Sequence, residues 1–240
     1  MFHVKQYFSI KGDVSVSIDF QPILDKYETY VVLVDGIFDK VRNEYGQYVT
    51  CKPGCDDCCY ALFDVSLVEA IYINKCFNEF LDGDLRSKIL EKASRIDRQI
   101  QKLKKNAYQQ LKHGQDELKI VGDMAMERIR CPLLNEKKEC DLYDNRPITC
   151  RLYGIPTSTS GASHICGKSN FERGDRYPTV SMDKIHSQLY HYSLELAIYV
   201  KSRYAKIADL MMPLSMALII DFNEEFLGVA DGNGEGAEKR

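Results

Sequence analysis

The chain has 240 residues, 45% of them hydrophobic, and 32 basic against 35 acidic side chains give a net charge of -3. That size suits one large domain or two small ones with a core that needs no staples, and the charge carries no global signal for nucleic acid or an anionic membrane. The longest apolar run, Leu210–Ile220, is eleven residues and holds Pro213, too short to span a bilayer; the opening MFHVKQYFSIKGD lacks the basic start and unbroken apolar core of a secretory signal. The expectation is a cytoplasmic protein.

In chain order, Val14, Val16, Ile18 and Phe20 share a parity with polar residues between them, which predicts a short N-terminal strand. Pro22 opens a helix to about Tyr45, with Ile23, Tyr27, Tyr30, Val31, Val34, Phe38 and Val41 at helical spacing, and Gly46 closes it. The run CKPGCDDCC, Cys51 to Cys59, then places four cysteines in nine residues of loop. Ser66-Leu-Val-Glu69 has the form of a capping box and starts a helix to about Leu81. Cys76 falls on its apolar face with Ile73, Phe77 and Phe80, where a buried, inert thiol is expected.

After a break at Asp82-Gly83-Asp84, the residues Ile89, Ala93, Ile96, Ile100, Leu103 and Ala107 recur at steps of four and three. They predict a long helix over 84–112 packed on another helix. Its basic side chains, Arg86, Lys88, Lys92, Arg95, Arg98, Lys102, Lys104, Lys105 and Lys112, face only Asp84, Glu91 and Asp97. This is either the solvated side of an amphipathic helix or a docking face for an acidic protein partner or nucleic acid. Residues 130–153 are short and turn-rich, a small hairpin or knuckle, and 154–178 read as loop. Residues 181–208 are helical, a last helix follows Pro213 to about Phe226, and 228–240 read as a disordered tail. The predicted fold class is mainly α: one helical domain over 1–227, a short N-terminal β segment, and an embedded irregular cysteine-rich metal-binding module built from 51–59 and 130–166.

Reducing compartments keep thiols reduced, so nine cysteines, an odd count, point to metal or redox chemistry before a disulfide framework. Eight fall into two groups of four: Cys51, Cys55, Cys58 and Cys59, then Cys131, Cys140, Cys150 and Cys166. Two quartets suit metals that take four thiolates, zinc or an iron–sulfur cluster. Gly54 can take the positive φ that turns Cys55 back, and Lys52, Arg130, Arg146 and Arg151 could supply positive charge to the thiolates. The adjacent pair Cys58-Cys59 implies either two nearby centres or one ligand with a neighbouring thiol. Cys51, Cys55 and Cys58 also have the spacing of the cluster loop in radical S-adenosylmethionine enzymes. However, Asp57 stands where that loop has an aromatic residue, and the strand–helix alternation of that superfamily is absent. A structural zinc in 131–166 would contribute about 10–16 kcal/mol to folding. His164 is the only histidine near the cysteines, and no phosphate loop, dinucleotide fingerprint or nucleophile elbow is present.

The sequence CKPGCDDCC, then CPLL from Cys131, then CDLYDNRPITCRLYG from Cys140, then Cys166, resembles the YkgJ-type cysteine-cluster family, whose members are described as zinc- or iron-chelating. The resemblance covers residues 51–166 and departs at Gly154, where the family has proline. It implies that the eight cysteines hold zinc or an iron–sulfur cluster. The flagellin lysine N-methylases look like relatives sharing the cysteine pattern, which would add S-adenosylmethionine and a methyl-transfer activity. The third alternative is a helical interaction adaptor in which metal only holds the fold. Arg146 and Arg151 suit the neutralisation of an anionic thiolate centre by donation to sulfur.

Overall fold

The computed structural model describes residues 18–229, and the fold is mainly helical. The strand expected at 14–20 lies outside the described residues except for Ile18–Phe20, which lead directly into helix α1 (Gln21–Glu44). Pro22 sits in the first turn of α1, where a missing N–H removes no helical hydrogen bond. Ile23, Leu24, Tyr27, Val31, Val34 and Val41 form its buried stripe.

Strand β1 (Asp64–Ser66) runs into helix α2 (Leu67–Phe80) through the capping box read from the sequence. The Glu69 carboxylate accepts from the Ser66 N–H at 3.3 Å and from its hydroxyl at 3.2 Å. Helix α2 is the central element, with Leu67, Val68, Ala70, Ile71, Ile73 and Phe77 all buried. It packs against α1, against α6 (Met182–Tyr199) and against α7 (Leu214–Ile219).

Helix α3 (Gly83–Lys112) buries Ile89, Ala93, Asp97 and Ile100, chiefly against α7. It also packs against α4 (Glu117–Met126), an element the sequence alone did not predict. The signal for α4 was local: the Asp116 side chain caps it by accepting from the Lys119 N–H at 2.8 Å.

Two corrections concern short elements. Residues 154–178 are not all loop: β2 (Thr157–Thr159) and β3 (Ala162–His164) form an antiparallel hairpin, and β4 (Val180–Ser181) lies parallel to β2. Ser160 and Gly161 both take positive φ in its two-residue turn. Within 130–153, α5 (Ile148–Leu152) is helical and carries both Cys150 and Arg151.

The helix expected over 181–208 stops at Tyr199, where Lys201 takes φ 53° and the Ser202 hydroxyl donates to Leu227 C=O. Strand β5 (Met211–Pro213) pairs antiparallel with β1. The last helix is two pieces, α7 and α8 (Glu224–Leu227). The Asn74 side chain donates to the carbonyls of Ala217 and Ile220 at 2.9 and 3.0 Å, satisfying the end of α7 from α2. Val229 forms a bridge with Ser202, and 230–240, most of the expected tail, lie outside the described residues. No described helix is long and apolar enough to cross a membrane.

Candidate metal centre

The loop after α1 is shaped by Lys52-Pro53-Gly54-Cys55. Pro53 presets one central φ, Gly54 takes φ 82° at the next, and the Cys55 N–H closes the turn on Lys52 C=O at 2.9 Å. Cys51 and Cys55 therefore flank one tight turn. Asp57–Tyr60 then form a single 3₁₀ turn carrying Cys58 and Cys59. Successive residues in such a turn are rotated by about 120°, so the adjacent thiols leave the backbone in different directions.

A second segment pairs with this turn. The Ile129 N–H donates to Tyr60 C=O at 3.0 Å, the Cys131 N–H donates to Cys59 C=O at 2.6 Å, and Ala61 and Arg128 form an antiparallel bridge. Cys131 then enters a hairpin closed by a bridge between Leu134 and Cys140. Asn135 stitches that hairpin, its side-chain oxygen accepting from the N–H groups of Lys137 and Glu139 at 2.9 and 3.0 Å. So the knuckle expected here exists as far as Cys140. Cys150 sits beyond it on α5, whose first N–H, from Ile148, donates to the buried Glu69 carboxylate at 3.0 Å.

Cys166 arrives on the loop after β3. That loop is held to the end of α1 by the Thr50 hydroxyl, donating to Lys168 C=O at 2.7 Å, and by the Asn170 N–H, donating to Tyr48 C=O at 2.9 Å. The Cys166 sulfur lies 3.6 Å from Asp57 Oδ2 and accepts from the Lys168 N–H at 3.4 Å.

All eight cysteines of the two quartets line one cavity of about 900 Å³. The ninth, Cys76, is buried in α2 away from it, and burial pushes its thiol up to about 11. All nine are free thiols. His164 is exposed on β3 and does not reach the cavity. The lining also has an apolar part, with Leu62, Phe63, Ile73, Ile100 and Leu214. Among the described residues, no three His, Cys, Asp or Glu side chains form a group that could hold a metal ion as they stand. A tetrahedral zinc site, with Zn–S near 2.3 Å, needs its four sulfurs about 3.8 Å apart.

The thiols shift one another. Burial, then the neighbouring sulfurs Cys55, Cys166 and Cys58, push Cys51 up to about 11. Burial and Cys140 push Cys131 up to about 12, and burial pushes Cys140 up to about 11. Hydrogen bonds from Cys150 and Cys59 hold Cys58 well below a normal thiol, and the same bonds, with burial, raise both donors.

The two arginines divide their work in a way the sequence did not show. Arg151 lines the cavity but is nearly fully buried, and its guanidinium donates to Asp35 Oδ2 at 2.6 Å, to Arg146 C=O at 2.8 Å and to Asp144 C=O. Its ion-pair partner is Asp35 of α1, and those donors clamp α5 to α1. Arg146 is half-buried, stacks over the Tyr143 ring at 4.0 Å and lowers the Cys58, Cys51 and Cys140 thiols by its charge. Positive charge near the acidic loop also comes from Arg128, 2.7 Å from Asp57, and Lys168, 3.2 Å from Asp56. Neither pairing is legible in the chain order, because both join segments far apart in the chain. Of the remaining candidates, Lys52 and Arg130 line the cavity, although Arg130 donates to the carbonyls of Leu134 and Asn135 and to Glu136.

The departure at Gly154 has a structural counterpart. A Cβ there would sit 2.1 Å from the Cys51 sulfur, so the absent side chain is the space that Cys51 occupies. Compared with known proteins, the chain matches no family model, no curated protein and no solved structure.

Proposed function

We propose that the chain is a metal-binding protein whose eight cavity cysteines hold zinc or an iron–sulfur cluster. The observation that carries this reading is the meeting of two sequence-distant quartets around one cavity, with Cys76 left out. The donor set fits: eight soft thiols, with no histidine among the residues lining the cavity. Cys51, Cys55, Cys58, Cys59, Cys131, Cys140, Cys150 and Cys166 would be the ligands, and Arg146 would offset their negative charge. The resemblance to the YkgJ-type pattern points the same way.

A second reading, an enzyme acting on an organic substrate beside the metal, is favoured by the apolar wall of the same cavity. Its volume of about 900 Å³ falls within the range of small-molecule sites. S-adenosylmethionine is the ligand to try first, by calorimetric titration of the metal-loaded chain.

The test is anaerobic purification followed by metal analysis, acid-labile sulfide and a visible spectrum. A brown protein with matching iron and sulfide supports the reading. A colourless protein with stoichiometric zinc selects zinc, and a metal-free protein overturns the reading. Cys55→Ser and Cys150→Ser should each lose metal, while Cys76→Ala keeps it.

A further inference from the structure

The end of α3 and the whole of α4 take no part in the metal reading. Ile100 is the last buried residue of α3, yet the helix runs on to Lys112, about 18 Å further at 1.5 Å per residue. Helix α4 buries Ile120 alone. Leu118, Val121 and Ala125 recur at steps of three and four, so they share one exposed face of α4, turned away from Ile120. Leu118 is 83% exposed, Val121 59% and Met126, in the last turn, 79%; Tyr108 and Leu111 at the end of α3 are exposed as well. The two arms of this helical hairpin carry opposite charge. Residues 98–115 hold Arg98, Lys102, Lys104, Lys105 and Lys112 and no acidic side chain, and only Lys104 has an ion-pair partner among the described residues, Asp64. Residues 116–127 hold Asp116, Glu117, Asp123 and Glu127 against Lys119 alone. Among the described residues no ion pair joins α3 to α4, so neither arm neutralises the other. The carboxylates of α4 alternate with its exposed apolar residues, which sets this face against an anionic membrane or a nucleic acid. A second copy of the chain supplies the complement of each part: an apolar strip for the apolar strip, an acidic α4 for α3 and a basic α3 for α4.

We infer that the α3–α4 hairpin is a self-association surface, on which two copies of the chain meet about a two-fold axis. The apolar strips of the two α4 helices pack at the centre, and the basic end of each α3 faces the acidic α4 of the other copy. A two-fold contact repeats each pairing, so both charge contacts form together. None of residues 101–128 lines the cysteine cavity, so association and metal binding are separable, and the same association is expected with or without metal.

The mass of the full chain in solution is measured by sedimentation equilibrium over a range of concentrations, at low and at high salt. It should rise with concentration from 27.5 kDa toward twice that value, and high salt should weaken the association by screening the exposed charge pairs. Leu118→Ser with Val121→Ser, both at exposed positions, should leave a monomer with the circular dichroism spectrum of the unaltered chain. Two charge variants decide the partner. Arg98→Glu, Lys102→Glu, Lys105→Glu and Lys112→Glu together make both arms acidic; Glu117→Lys, Asp123→Lys and Glu127→Lys together make both arms basic. Each variant alone should be monomeric, and an equal mixture should form the mixed dimer, because both contacts then join opposite charges. An unaltered chain that stays at 27.5 kDa at every concentration overturns the inference, whatever its metal content. If that monomer binds phosphatidylserine vesicles, the face is a membrane contact instead. A dimer that survives the Leu118 and Val121 changes and both charge variants lies on another surface and overturns the inference too, as does a mixture that stays monomeric.

Discussion

Replacing Glu69 would test how the cysteine-lined cavity is built into the fold. Its carboxylate is buried and takes four donors: the Ser66 N–H and hydroxyl, the Ile148 N–H at 3.0 Å and the Tyr27 hydroxyl at 3.4 Å. One side chain therefore caps α2 and also receives the first N–H of α5, the helix that carries Cys150. In Glu69→Ala the Ile148 N–H and the Tyr27 hydroxyl lose their acceptor, at about 1–3 kcal/mol each. Loss of the cap adds about 1 kcal/mol. Taking the low end for the long Tyr27 bond, the total is about 3–5 kcal/mol, a large share of a typical stability of about 5–15 kcal/mol. For a chain of this size that is a fall in melting temperature of about 10 °C, read by circular dichroism.

Glu69→Gln separates hydrogen bonding from charge. It keeps an acceptor for Ile148 and Tyr27 and disturbs only the Ser66 side, at about 1 kcal/mol. Burial raises the Glu69 pKa above the usual carboxylate value, and its four donors only partly oppose this. The folded chain therefore holds this proton at a pH where the unfolded chain has released it. The corresponding stability is full below about pH 4.3 and is lost as pH rises through the folded value. Urea unfolding across that window should show the decline in the unaltered chain and its absence in Glu69→Gln. If Glu69→Gln is as unstable as Glu69→Ala, or keeps the same pH slope, the account of this side chain is wrong.

Arg151→Lys should destabilise by about 2–4 kcal/mol in urea unfolding, because one ammonium cannot reach the Asp35 carboxylate and two carbonyls in the geometry of the guanidinium fork. In the metal-free chain, iodoacetamide at mildly acidic pH should label Cys58 ahead of Cys59, Cys131 and Cys150, since hydrogen bonds from Cys150 and Cys59 and the charge of Arg146 lower its pKa while theirs are raised. Mass spectrometry reads the site, and Arg146→Ala should slow it. Lys104→Ala should change stability by under about 1 kcal/mol, since its ion pair with Asp64 is partly solvent-exposed.

The parts of the fold legible in the sequence are those with local causes. Pro22 and the stripe from Ile23 to Val41 are enough to make α1, and Ser66 with Glu69 start α2 without outside help. What was hidden has partners far along the chain. Helix α5 is too short to show a period, and its first N–H goes to Glu69, 79 positions earlier. The split between α7 and α8 depends on Asn74, reaching across from α2. Only α4 and the Ser160-Gly161 hairpin carried local signals that the sequence reading passed over.

The site divides the same way. Spacing was enough to pick out eight cysteines and set Cys76 aside, because the CKPGC turn and the 134–140 hairpin are local devices. Spacing could not say which thiols face each other, since that follows from the pairing of 59–61 with 128–131. Arg151 shows the hazard of arguing from adjacency. On a helix the next residue points about 100° away, so the neighbour of Cys150 turns its charge toward Asp35 and backbone carbonyls. Arg146, four residues before Cys150 and outside the helix, is the one that keeps its charge on the sulfurs. Loss of Arg151 should therefore appear first as loss of fold, and loss of Arg146 as weaker metal retention in a stable chain. Finding these two outcomes exchanged would show that the guanidinium assignments are reversed.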